Sequence, residues 1–272
     1  IREQVGRGLS AMLPTKDANF VSTELAKRFG LPLWQFTVSA TDANRHVIRY
    51  SRLITKRKKI IVIDRCYHGS VDESFATLDQ HGNTVAREGN IGAPVELDQT
   101  TRVVAFNNLD EMKNALEHND VAAILMEPAM TNVGIVLPQP GYLKAVEKLA
   151  KEFGAKLIID ETHTISVGPG GMTAQEGLQP DFLTIGKAIG GGFPTGAFGM
   201  REEIAKSIKE MVELEVIDTG GVGGTLAANA LSMAAMKATL TKVLTAENFE
   251  KMVKLGNRWS DGVESTIKKY NL

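Results

Sequence analysis

Short apolar runs alternate with longer amphipathic stretches along most of the chain. A short apolar run bounded by turn-forming residues predicts a buried strand, whereas apolar residues that recur with helical spacing predict a helix. Strands are predicted at 34–39, 60–64, 102–106, 122–126, 156–160, 182–185 and 196–200, and helices at 41–55, 109–118, 142–153 and 201–214. Because the two types alternate, we predict an α/β fold with a mostly parallel, seven-stranded sheet covered by helices on both faces.

The last stretch, 225–270, is helical in pattern nearly throughout, with a predicted break near Gly256. The chain begins at Ile1 inside a helical pattern and stops at Leu272 directly after another. At neither end does the pattern show a further strand or helix that would complete a domain. We therefore expect residues 1–272 to be an excised domain or a fragment.

The composition is that of a globular enzyme, with 43% hydrophobic and 23% charged residues and a formal net charge of −1. This charge disfavours nucleic acid as a partner. No apolar run approaches the roughly 20 residues that span a bilayer, and we expect no signal peptide. A single cysteine, Cys66, excludes an internal disulfide and is expected to be buried beside a strand end. We expect a cytoplasmic protein without membrane contact.

Two charged residues, Asp160 and Lys187, each follow a short apolar run. The carboxyl ends of parallel strands meet at one edge of a sheet, so the two side chains are expected in a single crevice. Pyridoxal 5′-phosphate requires such a pair. An amine forms an imine with its aldehyde, and a carboxylate keeps its ring nitrogen protonated.

Five motifs occur in the order and at about the spacing seen in class III aminotransferases. They are Ser39 to Asn44, Tyr67-His68-Gly69, Asp160-Glu161, Gly186 to Gly192 and Gly224-Thr225. The chain resembles this family of fold type I pyridoxal phosphate enzymes, and most of all its glutamate-1-semialdehyde aminomutase branch. The resemblance implies that residues 1–272 are the cofactor-binding large domain, without most of the small domain.

The resemblance implies roles for four residues around the cofactor ring. Lys187 is the expected imine-forming lysine, and Asp160 the expected partner of the ring nitrogen. Tyr67 resembles the aromatic residue that stacks on one face of the ring, with His68 beside it.

The resemblance also implies other cofactor contacts. Thr162 stands where the family usually has the valine that packs on the opposite ring face, and Glu127 resembles a glutamate near the ring hydroxyl. Ala40 and Thr41 are expected to hold the phosphate with their backbone N–H groups, although the family usually has Gly at the position of Ala40. His163 has no counterpart in the family pattern, and either a supporting or a purely structural role is open to it.

Thr225 implies an oligomeric state. In related enzymes the corresponding threonine reaches across a two-fold interface to the cofactor of the partner subunit. We therefore expect a homodimer with shared active sites.

The reaction implied is aminotransfer between an amino acid or amine and an oxo acid or aldehyde. An aminomutase that returns the amino group to the same molecule stays open as the alternative. A P-loop NTPase is excluded because no Gly-x-x-x-x-Gly-Lys-Ser/Thr occurs. An NAD-type oxidoreductase is disfavoured because the glycines at 221–225 lack the third glycine position of its fingerprint. The five histidines show no metal-ligand spacing.

Overall fold

The seven predicted strands form one sheet in the computed structural model, which describes residues 1–10, 13–211, 221–222 and 224–272. In chain order the strands are β1 (Leu33–Thr37), β2 (Lys59–Ile63), β3 (Ala76–Leu78), β4 (Thr84–Ala86), β5 (Thr101–Val104), β6 (Val121–Met126), β7 (Lys156–Asp160), β8 (Phe182–Ile185) and β9 (Gly196–Met200). The order across the sheet is β1-β9-β8-β7-β6-β2-β5. Strand β9 runs antiparallel to the other six strands, which share one direction, so the predicted mostly parallel, seven-stranded sheet is confirmed. A separate hairpin of β3 and β4 was not predicted.

Helices pack on both faces of this sheet. They are α1 (Arg2–Arg7), α2 (Lys16–Phe29), α3 (Ala40–Thr55), α4 (Leu109–Glu117), α5 (Tyr142–Glu152), α6 (Gly171–Gln175), α7 (Glu202–Met211), α8 (Ala230–Lys242) and α9 (Ala246–Tyr270). Successive strand residues point to opposite faces. Accordingly, Phe182 and Phe198 belong to the core under α3, α4, α5 and α7, whereas Leu183 and Ala197 belong to the core under α2 and α8. The predicted end of the α7 helix at Leu214 lies outside the described residues.

The predicted helix break near Gly256 is wrong. Helix α9 runs through this position for 25 residues, and the interruption falls earlier, at 243–245. The hydroxyl of Thr245 caps the new helix by accepting a hydrogen bond from the backbone N–H of Asn248 at 3.3 Å. A single glycine inside a helix costs only about 1 kcal/mol relative to alanine, which is too little to end a long helix.

The parallel strands carry their carboxyl ends to the same edge of the sheet. Residue Met126 of β6 is paired with Ile159 of β7, and Asp160 is paired with Thr184 of β8. The residues that follow these strands therefore lie side by side. This edge holds the candidate site.

Candidate active site

A cavity at this edge brings together eight of the nine predicted site residues. They are Ala40, Thr41, Tyr67, His68, Glu127, Asp160, Thr162 and Lys187. Further residues that line the cavity are Val38, Ser39, His163, Phe193, Pro194 and Thr195. Of these, only His163 was considered individually as a candidate in the sequence. The expectation that Asp160 and Lys187 share one crevice therefore agrees with the placement of these residues.

Three donors surround the buried carboxylate of Asp160. His68 Nδ1 lies 2.9 Å from Oδ2, the side-chain amide of Asn44 donates to the same oxygen at 2.9 Å, and the backbone N–H of Thr162 donates to Oδ1 at 3.0 Å. Burial by itself raises the pKa of Asp160, but the hydrogen bond and charge of His68, with the other donors, lower it to about 2. The group is ionised at neutral pH.

His68 is the cationic partner in this pair. Burial by itself lowers the pKa of its imidazole, but the neighbouring side chain of Cys66 and the carboxylate of Asp160 outweigh that cost and raise it to about 10. Only 1% of His68 is exposed. An ionised carboxylate with a fixed proton donor behind it is suited to hold a proton on a ring nitrogen in front of it. Cys66 is buried beside the end of β2, as expected from the sequence.

Asn44 was not predicted as part of this arrangement, although it ends the first motif. Its amide donates both to Asp160 and to the backbone oxygen of His68, at 2.9 and 3.1 Å. The hydroxyl of Thr184 donates to its Oδ1 at 2.8 Å, so its orientation is fixed. The only signal in the sequence is a polar residue on the apolar face of a helix, because Asn44 is fully buried in α3.

Lys187 follows β8 and begins a short 3₁₀ turn, Lys187–Gly190. Its φ of 44° lies in the left-handed region, an uncommon conformation for a residue with a side chain. Among the described residues, no hydrogen bond or ion pair engages its amine. The amine is therefore available to a carbonyl compound in the cavity.

The start of α3 lies on the cavity wall. The hydroxyl of Ser39 caps the helix by accepting from the N–H of Asp42 at 3.2 Å. The first N–H groups of a helix have no intrahelical acceptor, so those of Ala40 and Thr41 remain for an external one such as a phosphate. The alanine at position 40 fits because its neighbour is glycine: a Cβ on Gly186 would lie 2.7 Å from the Cβ of Ala40.

Tyr67 and Thr162 form other parts of the wall. Tyr67 is 44% exposed, which leaves its ring accessible from the cavity. Thr162 is buried, and its hydroxyl has no hydrogen-bond partner among the described residues. An unpaired buried hydroxyl at the cavity wall suits a ligand with polar groups. These observations fit a phosphorylated aromatic aldehyde.

Glu127, directly after β6, is buried and belongs to a small polar cluster. Thr131 donates its hydroxyl to Glu127 Oε2 and contacts His163 Nδ1. His163 Nδ1 lies 3.4 Å from the same carboxylate oxygen. Thr131 was missed in the sequence, where only the Glu-Pro turn marks this segment.

Glu161 faces away from the cavity despite its place beside Asp160. Its carboxylate accepts from the hydroxyl of Thr164 at 2.5 Å and from the backbone N–H groups of Met172 and Thr173 at 3.2 and 2.5 Å. Burial raises its pKa. Through these hydrogen bonds, Glu161 holds residues 164–173 in place behind the site.

Thr225 does not line the cavity. It is exposed in a turn ahead of α8, whose N-cap is Asn229. The helix starts one turn after Thr225, where the amide oxygen of Asn229 accepts from the N–H of Ser232 at 2.9 Å. Gly220 and Gly223 of the preceding glycine stretch lie outside the described residues. The contact of Thr225 with a partner subunit stays a prediction.

In the described part of the chain, no helix combines the length and the apolar character needed to cross a membrane.

Comparison with known proteins gives one consistent family. The model of the family described as aminotransferase class-III matches residues 9–272. A glutamate-1-semialdehyde 2,1-aminomutase 2 of Exiguobacterium sibiricum is 33% identical over 276 residues, covering 100% of this chain and 62% of the relative. A glutamate-1-semialdehyde 2,1-aminomutase of Ignicoccus hospitalis is 35% identical and covers 89% of this chain and 57% of its own length.

Solved structures agree with these relatives. A glutamate-1-semialdehyde-aminomutase from Pseudomonas aeruginosa PAO1 in complex with PMP is 45% identical, with a TM-score of 0.96, over 100% of this chain and 61% of its own. An omega-transaminase from Sphaerobacter thermophilus is 29% identical, with a TM-score of 0.87, over 98% of this chain and 62% of its own. The chain spans about three fifths of the length of these relatives.

Proposed function

From the membership of this chain in the class III aminotransferase family, we propose that the protein of which it is part transfers amino groups with pyridoxal 5′-phosphate. The main support is that one cavity is lined both by the ionised, buried Asp160–His68 pair and by Lys187. Among the described residues, the amine of Lys187 has no hydrogen-bond partner. The chain would be the cofactor-binding large domain. Bound in this cavity, the cofactor supplies an aldehyde for imine exchange and a ring that stabilises negative charge on carbon.

The chain's own residues supply the remaining tasks. Asp160, backed by His68, keeps a proton on the ring nitrogen, and the start of α3 binds the phosphate. Lys187 would hold the aldehyde and would move a proton between substrate and cofactor when a substrate amine takes its place. Tyr67 and Thr162 orient the ring.

Two forms of this chemistry are candidates. In the first, the amino group passes from an amino acid or amine to a separate oxo acid or aldehyde. In the second, an aminomutase returns it to the same molecule. The names of the relatives at 33% and 35% identity and of the structure at 45% identity favour the second form.

One experiment separates the two forms. The full-length protein is loaded with pyridoxal 5′-phosphate and incubated with ¹⁵N-labelled amino donors, with pyruvate or 2-oxoglutarate as acceptor. In parallel it is incubated with glutamate-1-semialdehyde alone. Label in the amino acid formed from the oxo acid supports aminotransfer, and isomerisation without an acceptor supports the aminomutase. If the protein binds the cofactor but gives neither of these results, both forms are refuted.

Partners follow from the same proposal. The substrates are a small-molecule amino donor and an oxo acceptor, and the active unit is a homodimer in which Thr225 of each subunit reaches the partner's cofactor.

A further inference from the structure

A single buried amide joins its own helix to three other elements around the cavity. Asn44 lies in α3, is fully buried and is not among the residues that line the cavity. Its side chain makes hydrogen bonds to Asp160 at the end of β7, to the backbone of His68 in the turn after β2 and to Thr184 of β8. Elements that carry or adjoin four of the five sequence motifs therefore meet at this one side chain.

Hydrogen-bond inventory leaves this amide one orientation. The two protons on Nδ2 of Asn44 go to Asp160 Oδ2 and to the backbone oxygen of His68, at 2.9 and 3.1 Å. Its Oδ1 accepts the hydroxyl proton of Thr184 at 2.8 Å. A flipped amide would set its oxygen against a carboxylate oxygen and a carbonyl oxygen, which only accept. Because each partner belongs to a different element, rotation of Asn44 would break all three bonds at once.

Asn44 also fixes a distance along its own helix. Helix α3 begins at Ala40, one turn before Asn44, which corresponds to about 6 Å along the helix axis. The free N–H groups at this start are those proposed to bind the phosphate. Since Asn44 is bonded directly to the carboxylate of Asp160, it connects the proposed phosphate-binding end of the cavity with the end proposed to bind the ring nitrogen.

Other hydrogen bonds of α3 near the cavity reach a different element. The hydroxyl of Thr41 accepts from the backbone N–H of Ser70 at 3.2 Å, and the guanidinium of Arg45 donates to the backbone oxygen of Ser70 at 2.7 Å. These two bonds hold the helix to the turn after β2, but neither involves Asp160. Of these three residues of α3, Asn44 is the one that reaches the carboxylate.

We propose that Asn44 is a positioning residue that sets the separation between the start of α3 and Asp160, with Thr184 holding its amide in place. Pyridoxal 5′-phosphate carries its phosphate and its ring nitrogen on one small molecule, so both can be bound together only where the two protein groups stand at the matching distance. The inference rests on the cofactor of the proposed function but not on which of the two reactions follows.

The test measures the benefit of binding both ends at once. Dissociation constants are determined for the cofactor-free, full-length protein with inorganic phosphate, with pyridoxamine and with pyridoxamine 5′-phosphate. The product of the first two constants divided by the third is the effective concentration of one end when the other is bound. We expect Asn44→Leu to lower this quotient by about 10- to 100-fold, because a displacement near 1 Å is enough for such a loss.

The quotient distinguishes positioning from a general structural defect. A defect that weakens all three ligands by the same factor would raise the quotient, because that factor enters twice in the numerator and once in the denominator. A weakened Asp160 end would raise the constants of pyridoxamine and of its phosphate together and leave the quotient unchanged. Only a change in the separation of the two ends lowers it.

Matched variants complete the experiment. Thr184→Val keeps the shape of the side chain but frees the amide of Asn44, and it should lower the quotient by less than Asn44→Leu. Ser51→Ala is the control, because Ser51 is another fully buried polar residue of α3 and its hydroxyl donates to the backbone of Val47 in the same helix at 2.7 Å. It should behave as wild type. Asn44→Ala repeats the comparison if the leucine variant does not fold.

A quotient that is unchanged or raised in every folded variant of Asn44 and Thr184 would overturn the inference. Failure of wild type to bind pyridoxamine 5′-phosphate at all would instead overturn the cofactor assignment of the proposed function.

Discussion

His68 Nδ1 lies 2.9 Å from Asp160 Oδ2, and the two residues are only 1% and 3% exposed. Burying two charges costs several kcal/mol for each ion unless the pair is well aligned and its remaining lone pairs are satisfied. Here Asn44 and the backbone of Thr162 satisfy those of the carboxylate, whereas Nε2 of His68 is buried without a hydrogen-bond partner among the described residues. The site thus maintains a carboxylate in the interior at neutral pH.

The stability supplied by the pair is expected to depend on pH. The pKa of Asp160 is lowered from 3.8 to about 2, so its contribution is present above pH 3.8 and is lost as pH falls through about 2. The pKa of His68 is raised from 6.5 to about 10, so its contribution is full below pH 6.5 and is lost as pH rises through about 10. The combined contribution is therefore largest between these unperturbed values.

The measurement is the free energy of unfolding in urea of the cofactor-free protein, from pH 2 to pH 10. The comparison is between wild type and the neutral double variant Asp160→Asn/His68→Gln. We expect the difference in stability to peak between about pH 4 and 6.5 and to decline on both sides. A difference that does not change with pH would contradict the charged pair.

Asp160→Asn alone is expected to separate cofactor binding from chemistry. The amide has nearly the same shape as the carboxylate but no charge to hold the ring-nitrogen proton. Cofactor should still bind, whereas removal of the substrate proton should slow by about 100- to 1,000-fold, as for loss of one electrostatic group in an active site. Single-turnover rates close to those of wild type would count against this role of Asp160.

Lys187→Ala is expected to abolish covalent attachment of the cofactor. Wild type should be yellow and keep the cofactor after borohydride reduction, with the label on Lys187. The variant should retain none, and its turnover should fall by at least about 100- to 10,000-fold through loss of the acid–base group alone. Peptide mapping checks the site of labelling. A label on a different lysine in wild type would assign the imine elsewhere.

Gly69→Ala is expected to disturb the end of α3 that is proposed to bind the phosphate. At Gly69 φ is 81° and a Cβ would lie 1.9 Å from Thr41 Oγ1. At Gly82 φ is 80° and nothing lies within 4 Å, so Gly82→Ala reproduces the backbone strain without the collision. We expect Gly69→Ala to lower stability by about 1–3 kcal/mol more than Gly82→Ala and to weaken cofactor binding. Calorimetry of both variants checks this, and equal effects would show that backbone strain is the whole cause.

Complementation tests whether Thr225 acts across a dimer interface. Thr225→Ala and Lys187→Ala chains are mixed, and heterodimers are isolated by two different affinity tags. If each site combines Lys187 of one subunit with Thr225 of its partner, one site of the heterodimer loses both groups and the other regains both. Activity above either parent is expected. No gain in verified heterodimers would place Thr225 within its own subunit's site, or in neither.

The sequence by itself determined the fold class and the placement of two charged residues. Apolar runs must be buried and must pair their backbone groups, so strands 156–160, 182–185 and 196–200 were predicted to the residue. The charged residues after two such runs, Asp160 and Lys187, could be placed in one crevice because parallel strands end at a common edge.

Only the tertiary structure decided which side chains meet at that edge. Asn44 reaches Asp160 across 116 positions of sequence, and Thr131 meets His163 across 32. Periodicity reports burial but not partners, so neither contact has a sequence signature. The methyl of Ala40 is accepted because Gly186, far along the chain, lies against it. Hydrogen bonds and close packing act over a few ångströms in space, and the spacing of residues along a chain does not encode those distances.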